Sequence, residues 1–264
     1  MMNDELKTGI RLSQFIVPRS SFIIFKIMWK QIYIFIAVLF LAAVSVSAHP
    51  LGNFSVNQYS RLEVEKSRIK IRQALDLAEI PTFQETGAID ADKNGALSDE
   101  ELTAYAERIT PQMLANLFLT VNNEPLTLRN DSRPEARLRE GEGGLSTLQI
   151  KWDFVADLPN EGVVAAAAAF NRIKFENKNY AERLGWSEIV LNPVGAVNIF
   201  DSTAFGSGVT DELAAYPQET LAAPLRERTA EFSFTTGGGS LPANAKPLAD
   251  RDGHATTAIQ RDRL

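Results

Sequence analysis

The chain has 264 residues, no cysteine, two histidines and a formal charge of -6, and 45% of its residues are hydrophobic. That apolar content is enough for a core and argues against global disorder, while the absence of cysteine excludes disulfides, thiolate metal sites and cysteine nucleophiles. The mild acidity argues against a nucleic-acid partner, which needs a concentrated basic surface, and two histidines leave little material for a His-based triad or a multi-His zinc site.

The first element in chain order is a targeting segment. Lys26 and Lys30 precede the uncharged apolar run Ile32 to Val46, and Val46-Ser47-Ala48 places small residues at its exit. A basic flank, a short apolar core and a small-residue exit form a secretory signal. Met28 opens a compact version of it and is read as the start of translation, with residues 1–27 an over-extended leader. Two outcomes stay open: cleavage after Ala48, or retention of residues 22–46 as a membrane anchor. Either one puts the remainder outside the cytoplasm, in a periplasm or at a cell surface. The longest later apolar stretch, Val163 to Phe170, falls well short of the roughly 20 residues needed to span a bilayer.

From Phe54 the pattern is strand-like, with Ser55 to Val64 alternating imperfectly. Lys66-Ser67-Arg68 makes a turn, and Ile69, Ile71, Ala74, Leu75 and Leu77 resume the alternation of a half-buried antiparallel pair. Leu117 to Val121, Leu126 to Leu128 and Ala136 to Leu138 read as short strands, with Asn122-Asn123 as a hairpin turn. Leu145 to Leu158 is a long strand with Leu148, Ile150, Trp152 and Phe154 on one face. Asn160-Glu161-Gly162 turns the chain, and Val163 to Phe175 continues the sheet, although its five consecutive alanines also suit a helix. Ile189 to Phe200 is the last strand candidate, interrupted at Asn192-Pro193.

A helical insertion over residues 80–118 breaks the β series. Pro81 opens a short helix. Ser98 to Ile109 forms a second, with Leu102, Tyr105, Ala106 and Ile109 on one face. Thr110-Pro111 reads as a fresh helix start, with Met113, Leu114, Leu117 and Phe118 on its buried side. The expected fold class is mainly β: a β-sandwich-like domain over residues 49–234 carrying an α-helical EF-hand insertion. From about Thr235 the periodicity stops, and residues 235–264 read as a flexible linker.

Between the two helices, residues 90–101 fit the calcium-loop template of an EF-hand. Calcium takes six to eight oxygens at about 2.3–2.6 Å. Asp90, Asp92 and Asn94 offer side-chain oxygens from alternate positions, and Gly95 allows the sharp turn. Ala96 offers its carbonyl, Ser98 sits where a ligand often acts through water, and Glu101 closes the shell with both oxygens. Leu97 is the apolar residue that pins the loop. Ser98-Asp99-Glu100-Glu101 also reads as a helix capping box, but capping does not require oxygens at Asp92 and Asn94 before Gly95. With no second loop of this type in the sequence, the expectation is a structural site rather than a switch.

Cleavage after Ala48 would make His49 the first residue. A terminal histidine offers its amine and imidazole Nδ1 as a chelating pair for Ni²⁺, Co²⁺ or copper, while Pro50 lacks the N–H that amide coordination would use; the alternative is that His49 is simply the residue that cleavage leaves first. His254 falls in the expected linker.

The run His49-Pro-Leu-Gly-Asn-Phe-Ser-Val-Asn-Gln-Tyr-Ser-Arg-Leu resembles the mature start of nickel/cobalt transporters of the NicO type, and Asp76-Leu-Ala-Glu-Ile-Pro-Thr-Phe-Gln-Glu looks like their next characteristic segment. Asp262-Arg263-Leu264 looks like the junction before their transmembrane helices. The resemblance implies a non-catalytic accessory domain attached to a transmembrane nickel/cobalt permease, in the same or a separate chain. Those helices and their His-rich motifs are not among these residues. Asp76 and Glu79 read as a solvated edge rather than as site residues. The other reading is a calcium-stabilised scaffold or adhesion module unrelated to transport. A hydrolase is disfavoured, because no G-x-S-x-G elbow or H-E-x-x-H pair occurs.

Overall fold

A computed structural model describes residues 52–159, 170–216, 223–237 and 241–256. The signal segment, His49, the turn at Asn160-Glu161-Gly162 and the final Arg261 to Leu264 lie outside those residues. No described helix is long and apolar enough to cross a membrane.

The fold is mainly β, with two sheets and two α-helices among the described residues. β1 (Val56–Val64) and β2 (Arg68–Leu77) form the expected antiparallel pair around the Lys66-Ser67 turn. Helices α1 (Glu79–Ile89) and α2 (Asp99–Ala115) follow. Next come β3 (Leu117–Val121), β4 (Glu124–Pro125), β5 (Arg129–Asn130), β6 (Glu135–Glu140) and the long β7 (Ser146–Asp157). The series ends with β8 (Asn171–Asn177), β9 (Ser187–Pro193), β10 (Val197–Phe200) and β11 (Thr229–Thr236). The first sheet runs β5-β7-β2-β1-β9, with β6 continuing the edge beside β7; β9 lies parallel to β1 and its other pairings are antiparallel. The second runs β10-β11-β8-β3-β4.

One hydrophobic cluster draws on both sheets. Leu62, Ile71, Ile150, Trp152 and Phe154 come from the first, and Leu119, Ile173, Phe175, Phe232 and Phe234 from the second. Each such side chain contributes about 1.5–3 kcal/mol by leaving water. The cluster also takes in a satisfied amide network: Asn177 donates to Gln58 Oε1 at 3.0 Å, Gln58 donates to the Asn179 carbonyl at 2.7 Å, and Ser60 donates to Gln73 Oε1 at 2.7 Å.

The opposite face of the first sheet is covered by a strap, residues 205–216, which explains why the alternation in β1 is imperfect: both of its faces are buried. Leu213 packs with Tyr59, Ala74, Trp186 and Val190. Polar contacts do the rest. The fully buried Glu188 accepts bonds from the Val209 and Thr210 N–H groups and from Thr210 Oγ1. Glu212 meets Arg61 and lies 2.7 Å from Lys151 Nζ, and Tyr216 donates to Asp76 Oδ2 at 2.7 Å. Asp211, Glu212 and Leu213 hold φ of 45°, 56° and 64°. That left-handed backbone costs L-residues roughly 1–2 kcal/mol apiece, so these contacts must outweigh it.

Several expectations from sequence are corrected. Leu126 to Leu128 is not a strand; the ladders flank it, at Glu124–Pro125 and Arg129–Asn130. Thr110-Pro111 does not start a helix, because α2 runs through both residues to Ala115. Thr110 instead bonds the Ala106 carbonyl through Oγ1 at 2.7 Å and accepts Trp152 Nε1–H at 2.9 Å, so a buried tertiary contact fixes it mid-helix. Leu117 and Phe118 therefore belong to β3, and Phe118 is 45% exposed. Ile189 to Phe200 is two strands in different sheets, divided by Val194 to Ala196 with Gly195 at φ 67°. β11, where Ala230, Phe232 and Phe234 alternate inward, was not anticipated. Within the stretch read as linker, residues 241–256 are bound to the domain. Leu248 is 3% exposed and donates to the Ile199 carbonyl at 3.0 Å, and Arg251 forms a fork with Glu227 at 2.9 and 2.8 Å.

Candidate metal site

The helix–loop–helix between β2 and β3 carries the predicted acidic loop. α1 starts at Glu79, two residues before Pro81, whose missing N–H falls in the first turn where no intrahelical acceptor is needed. α2 starts at a full capping box: Ser98 Oγ accepts the Glu101 N–H at 3.3 Å, and Glu101 Oε2 accepts the Ser98 N–H at 2.9 Å. The helices are tied together by Tyr105 Oη donating to Glu85 Oε2 at 3.0 Å and by Arg108 donating to the Ala88 carbonyl at 2.8 Å. Leu97 packs on the core as expected and anchors the loop.

Inside the loop the carboxylates collect peptide N–H groups. Asp90 Oδ1 accepts from Asn94 N at 3.1 Å and Asp90 Oδ2 from Gly95 N at 3.0 Å. Asp92 Oδ1 accepts from Asn94 N at 3.1 Å. Glu101 reaches back across the loop to Ala91 N at 2.7 Å and Asp92 N at 3.4 Å. Lys93 at φ 59° and Gly95 at φ 83° make the turn that closes this ring. The Glu101 carboxyl is held below the usual carboxylate range, chiefly by the Ser98 N–H; desolvation opposes this, and the Ala91 N–H adds to the lowering.

Of the six predicted calcium ligands, the structure brings three carboxylates together: Asp90, Asp92 and Glu101 offer oxygens that all lie within 4.8 Å of one another. Oxygens sharing one ion at about 2.4 Å stand no more than about 5 Å apart, so this spacing would let the three groups share a metal ion. Asn94 and Ser98 face their neighbours instead. Asn94 donates to Asp92 Oδ2 at 2.8 Å while its Oδ1 accepts the Ala96 N–H at 2.7 Å, and Ser98 Oγ sits 3.0 Å from Glu101 Oε2. His49 lies outside the described residues.

Three features escaped sequence reading. Asp250, Asp252 and His254 form a second group with ligand atoms within 4.8 Å of one another. Its alternate spacing before and after Gly253 is visible in the chain but was absorbed into the expected linker. The expectation of a solvated edge at Asp76 and Glu79 is overturned: they are 2% and 1% exposed. Asp76 is covered by the strap, and Glu79 is walled in by the turn that follows β6. A cavity of about 100 Å³ lined by Glu135, Ala136, Arg137, Gln149 and Lys151 opens beside the edge strand. No family model matches the chain, and a search of curated proteins finds no match.

Proposed function

We propose that this protein is a calcium-stabilised, non-catalytic extracytoplasmic domain that serves a nickel/cobalt transport system. In this reading the two sheets sharing one core form a β-sandwich-like body, and residues 80–118 are an EF-hand insertion. Asp90, Asp92, Asn94, Ala96, Ser98 and Glu101 hold Ca²⁺, with Asn94 and Ser98 turning inward from their present partners. His49, freed by signal cleavage, chelates Ni²⁺ or Co²⁺ through its amine and imidazole and passes it to or from a membrane permease.

The observation that carries the calcium part is the convergence of the Asp90, Asp92 and Glu101 oxygens within 4.8 Å. Five carboxylates against one lysine between residues 90 and 101 repel one another unless a cation joins them. A single loop of this kind in an extracellular setting binds calcium with a Kd of about 10⁻⁴–10⁻³ M. It is then filled constitutively and braces the helix pair. The transport part is supported by the resemblance of the segments at residues 49–62 and 76–85 to NicO-type transporters.

A cellular test addresses the transport part. Deleting the gene should change the nickel or cobalt tolerance of the cells, and the wild-type chain should restore it. Unchanged tolerance to both metals would contradict a transport role and favour a plain scaffold module.

A further inference from the structure

β6 sets an anion and a cation two positions apart. Glu135 and Arg137 flank the half-buried Ala136, so both side chains leave the same side of the strand. Their partners across the ladder are Lys151 and Gln149 of β7, on the face that the strap touches. These residues line the cavity of about 100 Å³, which has room for several waters or one small organic ion.

Arg137 is held in place on one edge and open on the other. Its Nε and Nη2 both donate to Gln149 Oε1, at 3.0 and 2.6 Å. Gln149 is 1% exposed and donates in turn to the Leu213 carbonyl at 3.4 Å. A guanidinium carries five N–H donors. The end-on pair, on Nη1 and Nη2, meets no acceptor among the described residues. The other charges nearby are matched. Lys151 Nζ meets Glu212 at 2.7 Å, Arg72 forks onto Asp153 at 2.8 and 2.7 Å, and Arg139 donates to the Leu213 and Ala214 carbonyls at 3.1 and 3.4 Å. Glu135 therefore forms no ion pair among the described residues, although Lys151 lies opposite it in the ladder.

An anion and a cation thus border one cavity without pairing. A carboxylate takes the open end of a guanidinium through two parallel bonds, and an ammonium group takes a carboxylate. Two positions along a strand span about 6.7 Å, a gap that one small molecule bridges with a bond at each end. We propose that this cavity binds a small zwitterion, an α-amino acid of the size of glycine or alanine, with its carboxylate on Arg137 and its ammonium group on Glu135. Such a ligand answers both unpaired groups at once, which a simple anion does not, because Glu135 would repel it.

The test is an NMR titration of the mature chain in excess calcium, with glycine, acetate and methylammonium as separate probes. Glycine should shift the backbone amide signals of Glu135, Arg137, Gln149 and Lys151. It should bind at least about tenfold more tightly than acetate or methylammonium, each of which lacks one of the two charged contacts. Arg137→Gln and Glu135→Gln should each weaken glycine at least about tenfold, and both positions are exposed, so the fold should survive. Acetate binding as tightly as glycine would mean a plain anion site and overturn the proposal. So would the absence of glycine-induced shifts at tens of millimolar, or unchanged glycine affinity in Arg137→Gln. Should a variant fail to fold, the ranking of the three probes on the wild type still decides.

Discussion

In the loop between α1 and α2, Asp90, Asp92 and Glu101 turn their oxygens toward one another, whereas Glu188 and Asp76 beneath the strap, and Glu212 within it, each meet a separate set of donors. The loop carboxylates are exposed or half-buried and draw their partners from the same twelve residues. The strap carboxylates are shielded, and their partners come from 21 to 151 positions away in the chain. The first arrangement leaves a concentration of negative charge that an ion can answer. The second neutralises charge within the protein and fastens one segment to a sheet. Clustered acidic groups thus point to a ligand only where the chain has not already supplied their counterparts.

The sharpest way to break that contrast is to delete one carboxylate from each region. Glu188→Ala strips the acceptor from two strap N–H groups and Thr210 Oγ1 in a buried setting, and should cost about 3 kcal/mol in urea unfolding with or without calcium. A loss below about 1 kcal/mol would mean the strap is not held by charge. Asp90→Ala or Glu101→Gln should behave differently. Each should leave calcium-free stability nearly unchanged but abolish the gain of about 2.7 kcal/mol that calcium brings at a hundred times its Kd. Ser98→Ala removes the cap of α2 and should cost about 1 kcal/mol in calcium-free protein.

The smallest effect concerns pH. The Glu101 pKa is depressed in the fold, so its contribution is fully present above the unfolded value of about 4.3 and is lost as pH falls through the lower folded value. In calcium-free protein, Glu101→Gln should flatten the acid limb of the stability curve only slightly, because the group is exposed. A large flattening would show that the Glu101 carboxylate is coupled to the core, whereas its hydrogen bonds stay within the loop.

What sequence could disclose follows the same division. The loop template is local, so its turn, its capping box and the convergence of three of its carboxylates were legible from spacing alone. The β1–β2 pair and β7 were also readable, although the alternation in β1 is imperfect because both of its faces are buried. Thr110-Pro111 misled because the local helix-start signal is overridden by the bond from Trp152, 42 residues away. The 241–256 segment has little apolar periodicity, yet one buried leucine and a row of backbone bonds hold it in place. Glu79 looked solvated because no sequence pattern announces that Gly141 will close over it. By contrast, β11 carries a readable signal in Ala230, Phe232 and Phe234, which alternate inward just ahead of a glycine-rich stretch.

Calorimetric titration of calcium into the mature chain tests the central claim most directly. One Ca²⁺ per chain should bind with a Kd of about 10⁻⁴–10⁻³ M, and the heat should vanish in Asp90→Ala. No binding at millimolar calcium, or the same isotherm in Asp90→Ala, would contradict the account.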